Sequence, residues 1–219
     1  MPPALPTHFF ERDAVVVARE LLGCEVALRV GDGSRGSLRR GRIVETEAYG
    51  GFDDRACHGH RGETPRIQSL FGPPGRALVY LTYGIHYMLN AVTRGAGEPF
   101  CVLLRALEPL EGLEFDSRGS TRGPGLLTRA LGVDLRYDGG HLSTGRLRIL
   151  EGGLGAQESA AVMTRVGVEG AGPEAAGQPW RFLVADNGYV SRGRPSTPER
   201  AVLVVAERAA RREARRAAR

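Results

Sequence analysis

Lysine is absent from this 219-residue chain, so all 30 strongly basic side chains are arginines. Schiff-base catalysis needs a primary amine, and without lysine the N-terminus is the only one present. Mechanisms that form a covalent bond to a lysine side chain are therefore excluded.

The sequence also lacks long apolar runs, and none approaches the roughly 18 residues of a membrane-spanning helix. The first residues, MPPALPTHFFERDA, contain no basic segment followed by an apolar one, which predicts no secretion signal. The three cysteines, Cys24, Cys57 and Cys101, are scattered and odd in number, which is typical of a reducing compartment. Together these features predict a cytoplasmic protein.

The net charge of +5 favours a polyanionic partner such as nucleic acid, although a similar excess occurs in proteins that bind none. The length is that of one large domain, which we place at residues 1–200. The remaining residues, 201–219, form a basic tail rich in Ala and Arg that is either helical or disordered.

Apolar spacing predicts helices over residues 9–22 and 125–131. A loop poor in apolar residues, 50–66, is a place where function tends to lie. Alternating and apolar runs predict strands, several of them joined as hairpins. The predicted strands are residues 25–30, 42–49, 77–82, 86–92, 99–107 and 147–150.

The stretch GRIVETEAYG, residues 41–50, places two carboxylates in one predicted strand. Because side chains alternate between the faces of a strand, Glu45, Glu47 and Tyr49 share one face. Ile43 precedes them on that face, and the opposite, apolar-leaning face is predicted to point to the core. Such a carboxylate pair is often a solvated edge that makes salt bridges, and this alternative stays open.

Paired carboxylates are also typical of glycosidic hydrolysis, in which one acts as acid and the other as base or nucleophile. Same-face neighbours lie about 6.5–7 Å apart at Cα, which permits this role. One carboxylate is enough when the leaving group is already cationic, because only water then needs activation. An alkylated purine on a sugar is such a leaving group.

The segment VYLTYGIHYMLN, residues 79–90, contains three tyrosines. Tyr83 is predicted at or near a hairpin tip. A tyrosine there is either partly buried against a neighbouring loop or available to stack on bases and to fill the gap left by an extruded nucleotide.

The run Cys57-His58-Gly59-His60 follows two aspartates and could suggest a metal site. No second cluster occurs at a recognised spacing, so no metal is predicted. A histidine that contacts a base, or one that is simply exposed, is the preferred interpretation.

A set of motifs occurs in one order along the chain: GRIVETEAY, ACH at 56–58, RGETPR at 61–66, FGPPG, VYLTYGIHYMLN, CVLLRALEP, GPGLL and RVGV. In this order and approximate spacing the chain resembles the alkyladenine (3-methyladenine) DNA glycosylases of the mammalian type over residues 9–191. No single motif is decisive, whereas the ordered set is specific.

The resemblance implies a single mixed α/β domain built on a curved antiparallel sheet with helices around it. It implies a monofunctional DNA glycosylase of base excision repair that flips alkylated or deaminated purines from double-stranded DNA. Water would hydrolyse the N-glycosidic bond and leave an abasic site. No metal or organic cofactor is implied, and the protein would act as a monomer, associated with the nucleoid if it is bacterial.

The resemblance also implies catalytic roles for three residues. Glu47 would be the general base that activates the water, with Glu45 supporting it. Arg105 and the carbonyl of Val166 would help to hold that water.

The base pocket implied by the resemblance consists of Tyr49, His58, Tyr80 and Asn90. The two tyrosines would sandwich the flipped base, the histidine would bond to it, and Asn90 would limit which purine substituents are accepted. Aromatic faces attract cations, so such a pocket would favour a positively charged purine by about 1–2 kcal/mol.

The DNA contacts implied by the resemblance are Tyr83 as the wedge and Arg61 and Arg66 at phosphates. The chain departs from the family pattern at Glu63 and Leu126, where relatives commonly have basic residues. Arg122 or Arg129 could compensate for this lost charge.

Two other functions stay open on the sequence alone. A non-catalytic nucleic-acid-binding module would use the arginines and tyrosines but would not need Glu47. A carbohydrate-acting glycosidase would need both Glu45 and Glu47.

Overall fold

A computed structural model describes residues 1–31, 36–114 and 120–191, together with the backbone of residues 202–204. These residues form a mixed α/β domain around one strongly curled antiparallel sheet, which confirms the predicted fold class. The strands are β1 (Glu25–Val30), β2 (Ser37–Gly50), β3 (Ala77–Thr82), β4 (His86–Thr93), β5 (Phe100–Glu111), β6 (Leu147–Leu150), β7 (Ala160–Met163), β8 (Arg181–Val184) and β9 (Val202–Val204). The helices are α1 (Ala14–Glu20), α2 (Pro124–Leu131) and α3 (Pro173–Ala176). None of the described helices is long and apolar enough to span a membrane.

Strand β2 organises the sheet. The strand order is β3-β4-β5-β2-β8-β7-β9, and β2 pairs with β5 along most of its length. Its other edge pairs with β1 in the first half and with β8 in the second half, while β6 extends the β1 side. The second half of β2, which carries both carboxylates, is therefore hydrogen-bonded on both edges.

The two faces of the sheet carry different side chains. Period-2 alternation sends Val79, Ala48 and Val102 into the main core, which also contains the buried face of α1. Tyr80 and Cys101 project to the opposite face, where a second, smaller cluster forms. That second face is where the predicted site residues meet.

Thr46 fixes the orientation of β2. Its hydroxyl donates a hydrogen bond to the carbonyl of Ala18 in α1 (2.8 Å), and both residues are fully buried. Because Thr46 points towards α1, its neighbours Glu45 and Glu47 must point to the other face.

Two bulges lie beside the carboxylates and correct one prediction. The pairing of β2 with β5 shifts between Ile43 and Glu45, so both Ile43 and Val44 enter the main core. Simple alternation, which placed Ile43 on the carboxylate face, is wrong at this point. A second shift, between Glu45 and Thr46, leaves Arg105 of β5 as the extra residue. Bulges of this kind redirect side chains next to active sites.

Helix α1 is shorter than the predicted segment 9–22. Asp13 caps it by accepting a hydrogen bond from the N–H of Val15 (2.9 Å), and residues Thr7–Phe9 form a separate 3-10 turn. Strand β9 lies within the predicted tail and pairs with β7. The arginines of that tail, residues 208–219, lie outside the described residues.

Candidate active site

Glu47 is fully buried and accepts three hydrogen bonds from described residues. Oε1 accepts from the backbone N–H of Val166 (2.8 Å), and Oε2 accepts from the phenol of Tyr49 (3.0 Å) and from Nη1 of Arg105 (3.1 Å). A carboxylate has about four acceptor positions. Within the described part of the chain, one position therefore remains for a further donor such as water.

Glu45 is also fully buried and accepts four hydrogen bonds from described residues. Oε1 accepts from Nε of Arg105 (2.8 Å), Nε of Arg181 (2.7 Å) and Oγ of Ser191 (2.9 Å), and Oε2 accepts from the N–H of Ser191 (2.6 Å). The solvated-edge interpretation is wrong for both carboxylates. Glu45 acts as an anchor for three surrounding segments.

Arg105 bridges the two carboxylates from its position at the bulge. Burial opposes its charge, but the carboxylates of Glu47 and Glu45 outweigh burial and raise the pKa of the guanidinium. Arg105 is thus permanently cationic. It orients Glu47 and holds positive charge beside that carboxylate.

Tyr49 lies two residues beyond Glu47. Burial, followed by the negative charge of Glu47, raises the pKa of the Tyr49 phenol well above its ordinary value. The phenol therefore stays protonated at neutral pH and donates to Glu47. The Arg165 guanidinium lies 4.8 Å from the Tyr49 ring centroid and 5.0 Å from that of Trp180.

Arg165 connects several parts of the site. It is fully buried, donates to both carboxylate oxygens of Asp54 (2.5 and 2.8 Å) and donates to the carbonyl of Ala48 (3.0 Å). Asp54 in turn accepts from the N–H of Ala56 (3.1 Å) in the loop that follows β2. The next residue along the chain from Arg165 is Val166, whose N–H contacts Glu47.

The four predicted base-binding residues meet around one small cavity of about 10 Å³. That volume holds about one water molecule and cannot hold a purine. The rings of His58 and Tyr80 contact each other, with centroids 4.8 Å apart and planes inclined at 48°. The cavity is lined by Tyr49, His58, Leu70, Leu78, Tyr80, Asn90 and Cys101.

The His58 ring is electrically neutral at pH 7. Partial burial, followed by the positive charges of Arg66 and His60, lowers the pKa of His58 below its ordinary value of 6.5. Burial is also the main cause that raises the pKa of Tyr80, so both pocket tyrosines stay protonated.

Asn90 lies across the sheet from Glu47. Leu103 pairs with both residues, which places their Cα atoms about 10 Å apart, two strand spacings. The Asn90 amide donates to the carbonyl of Leu78 (3.1 Å), and its oxygen faces the thiol of Cys101 at 3.9 Å. Asn90 is therefore held in a fixed orientation at the far side of the cavity.

Tyr83 lies at the tip of the β3–β4 hairpin, as predicted, and is 91% exposed. The N–H of Ile85 donates to the carbonyl of Thr82 (3.2 Å), and both central residues have positive φ, 51° at Tyr83 and 70° at Gly84. This is the type I′ geometry of a two-residue hairpin. A bulky residue with left-handed backbone is strained, and such strain concentrates at functional sites.

The predicted phosphate contacts lie in the loop after β2 and are exposed. Nε of Arg61 contacts Nε2 of His60 (3.1 Å), whereas Arg66 donates to the carbonyl of Leu81 (2.5 Å). Glu63 is exposed between them. Leu126, the other departure, is half-buried near the start of α2.

The described residues contain no group of three or more His, Cys, Asp or Glu side chains that could hold a metal. Asp54, next to the Cys-His run, is instead paired with Arg165. Burial raises the pKa of Cys57 to about 11 and that of Cys101 well above its ordinary value. Neither thiol is therefore a thiolate nucleophile at neutral pH.

A larger cavity of about 410 Å³ lies elsewhere, beside α1 and the N-terminal segment. None of the predicted site residues lines it. Volume alone would favour this cavity as the functional site. Buried charged groups and aromatic rings lie together at the small cavity, which favours the small cavity instead.

Sequence comparisons place this geometry in a known family. The sequence model of the methylpurine-DNA glycosylase (MPG) family matches residues 8–188. The chain belongs to the methylpurine-DNA glycosylase family. Members of this family hydrolyse N-glycosyl bonds.

Similar methylpurine-DNA glycosylases occur in several bacteria, where they are provisionally named 3-methyladenine DNA glycosylases. The relative from Anaeromyxobacter dehalogenans strain 2CP-C is 47% identical over 191 residues, 87% of this chain and 88% of its own length. That from Carboxydothermus hydrogenoformans is 42% identical over 86% of this chain and 98% of its own length. The relative from Myxococcus xanthus is 45% identical over 87% of this chain and 95% of its own length.

Sequence reasoning missed part of this glycosylase site. It did not single out Arg165, Arg181 or Ser191, although they hold Tyr49 and Glu45 in place. The RVGV motif contains Arg165, but nothing in the sequence distinguishes a buried arginine from the many exposed ones.

Proposed function

We propose that this DNA glycosylase of base excision repair flips alkylated or deaminated purines from double-stranded DNA and releases them by hydrolysis. Glu47 accepts a proton from the attacking water, whose oxygen bonds to the sugar C1′ as the N-glycosidic bond breaks. An alkylated, cationic purine departs as the neutral base, whereas a neutral purine such as hypoxanthine departs as an anion and takes up a proton from solvent. The product is free base and an abasic site. The observation that carries this proposal is the buried carboxylate of Glu47, with one remaining acceptor position, beside an aromatic cavity.

Three donors hold the Glu47 carboxylate in one orientation. Arg105 supplies a permanent positive charge, and the Tyr49 phenol and the Val166 amide fix both oxygens. A carboxylate held in this way can accept a proton from water without rotating. The water-holding role implied for the Val166 carbonyl stays a prediction, because the contact of Val166 with Glu47 is made by its amide N–H.

The pocket must open before a base can enter. The His58–Tyr80 contact leaves only about 10 Å³, so binding requires these two rings to separate. The His58 side chain is exposed and its loop lies at the surface, whereas Tyr80 is buried within β3. We therefore assign the movement to His58.

The carbohydrate-acting alternative needs both carboxylates to be available to a substrate. Glu45 is fully buried and accepts four hydrogen bonds, from Arg105, Arg181 and Ser191, so protein donors enclose it. This geometry favours a single-carboxylate mechanism. It suits a purine that leaves readily, because no second carboxyl group is needed as acid.

Two features support a monofunctional enzyme of the reducing cytoplasm. The chain has no lysine to attack the sugar carbon. All three cysteines are free and buried. We further propose that the monomer is the active form.

Release of free base from duplex oligonucleotides tests the proposal. The wild-type chain should release hypoxanthine or an alkylated purine from a duplex that carries one such lesion, and should release nothing from the undamaged duplex. Glu47→Gln should bind the lesion duplex but lose at least about a hundredfold in single-turnover rate. Duplex binding by both proteins with release by neither would instead support the non-catalytic binding module.

A further inference from the structure

Arg66 lies against a wall of the proposed base pocket. Its guanidinium carbon is 5.2 Å from the centroid of the Tyr80 ring. Its Nη2 donates a hydrogen bond to the carbonyl of Leu81, which follows Tyr80 in β3. Among the described residues, no carboxylate lies within ion-pair distance of Arg66. Its positive charge is therefore not neutralised locally.

The other pocket wall is different. Arg165 lies 4.8 Å from the Tyr49 ring centroid, but Asp54 neutralises it through two short hydrogen bonds. Each tyrosine thus has a guanidinium against its ring. Within the described residues, the guanidinium at Tyr49 is paired with a carboxylate and the one at Tyr80 is not. The two walls present different electrostatic environments to a base between them.

The positive charge of Arg66 acts on a residue that lines the pocket. After burial, it is the largest cause that lowers the pKa of His58, a residue that lines the cavity. A purine stacked on Tyr80 would contact the same ring that the Arg66 guanidinium lies against, 5.2 Å from its centroid. If that purine is cationic, repulsion by Arg66 opposes its attraction to the aromatic face.

We propose that Arg66 determines the charge preference of the pocket, lowering the preference for cationic purines and so extending the substrate range to neutral ones. This inference rests on the proposed glycosylase function. It assigns to Arg66 a role beyond the phosphate contact implied by the sequence. Without the Arg66 charge, two tyrosines would select mainly for positive bases.

The test compares two lesions in one duplex sequence, 7-methylguanine as the cationic base and hypoxanthine as the neutral one. The measured quantity is the ratio of their single-turnover release rates, cationic over neutral, at saturating enzyme and fixed salt. Intrinsic differences between the lesions cancel when variants are compared with wild type. Arg66→Gln keeps a hydrogen-bond donor for Leu81 but removes the charge.

We expect Arg66→Gln to raise this ratio by about threefold to tenfold, the scale of one partly screened charge. Arg66→Lys, which keeps the charge, should retain the wild-type ratio. Arg55→Gln is the matched control, because it removes an exposed arginine of the same loop and should leave the ratio unchanged.

Failure of this inference and failure of the proposed function give different results. If Arg66→Gln slows release of both bases equally, Arg66 acts only on DNA binding and the inference is overturned while the glycosylase function stands. If wild type releases neither base, the proposed function fails and the inference fails with it. A ratio that rises equally in Arg55→Gln would also overturn it, because the effect would then belong to net charge.

Discussion

We propose different roles for two glutamates on one face of one strand, because the described residues donate different numbers of hydrogen bonds to them. Glu45 receives four and is committed to the fold. Glu47 receives three within the described chain and retains an acceptor position, and its partner Tyr49 lines the cavity. Residue type and spacing do not separate these roles, whereas the count of donors does.

His58 should titrate below pH 6.5, its ordinary value, because burial and the charge of Arg66 disfavour the imidazolium. As the pH falls, His58 takes up a proton at a higher pH in the unfolded chain than in the folded one. Stability should therefore fall as pH drops from about 6.5 through the lowered folded pKa. NMR titration of the His58 ring in wild type and Arg66→Gln measures this, and the variant should have the higher pKa. An unchanged pKa in the variant would contradict the assignment to Arg66.

At the residue scale, the sequence was sufficient to predict the face shared by Glu47 and Tyr49, because strand alternation holds there. It was insufficient for Arg105, whose direction depends on a bulge that leaves no mark in the sequence. It also left the burial of both glutamates open. A carboxylate is buried only where arginines from distant segments meet it, and those contacts are tertiary.

Among the elements, the β3–β4 hairpin has the clearest functional strain. Tyr83 occupies the left-handed position of a type I′ turn, where Asn before Gly is preferred. Tyr83→Asn should therefore raise the free energy of unfolding by about 1 kcal/mol in urea titration.

The same Tyr83→Asn variant should release base more slowly from duplex DNA, because no large ring fills the gap left by the flipped nucleotide. Release from a single strand, where no gap forms, serves as the control and should change less. A variant that gains stability and keeps full duplex activity would show that Tyr83 is not the wedge.

The loop after β2 and the segment before Val166 are joined by the Arg165–Asp54 pair. Arg165→Met should destabilise the protein by about 3–5 kcal/mol, because Asp54 would be left buried without its partner. Urea unfolding measures the change. Arg136→Met, which removes an exposed pair with Asp134, should have a much smaller effect and is the matched control. Equal effects would contradict a structural role for the buried pair.

The regular elements followed from the sequence where apolar patterns were strong. The bounds of β1, β3 and β6 match the prediction, and those of β4 differ by one residue. Strands β7 and β8 were not predicted, because β7 lies in a stretch rich in Gly and Ala and β8 is buried along its whole length, without polar alternation. Strand β8 forms on the edge of β2, and β7 then pairs with β8, which is a tertiary cause.

For the whole molecule, the net charge of +5 should make duplex binding dependent on salt. Glu63 is an exposed negative charge between Arg61 and Arg66. Glu63→Gln should tighten binding to duplex DNA by a few-fold at low salt. This is about the effect expected from the removal of one exposed charge. Fluorescence anisotropy over a salt series measures this.

Glu11→Gln is the control for Glu63, since it removes an exposed carboxylate in the N-terminal segment, away from the loop after β2. Its duplex affinity should change less. If both substitutions tighten binding equally, the loop is not the DNA-facing surface.

The sheet as a whole separates stability from chemistry. One face packs against α1 in the main core, and the other holds the carboxylates, the small aromatic cluster and the cavity. Both glutamates lie on the second face, so any difference between them follows from their hydrogen bonds: a conservative change to Glu47 should alter activity with little loss of stability, whereas the same change to Glu45 should alter both.

The most direct measurement compares Glu47→Gln with Glu45→Gln, using single-turnover base release and urea unfolding on the same preparations. We predict that Glu47→Gln loses at least about a hundredfold in release rate while its unfolding free energy changes little. Glu45→Gln should lose stability by several kcal/mol, about the cost of disrupting a buried ion-pair network. A Glu47→Gln variant that releases base at the wild-type rate would contradict the assignment of Glu47 as the base.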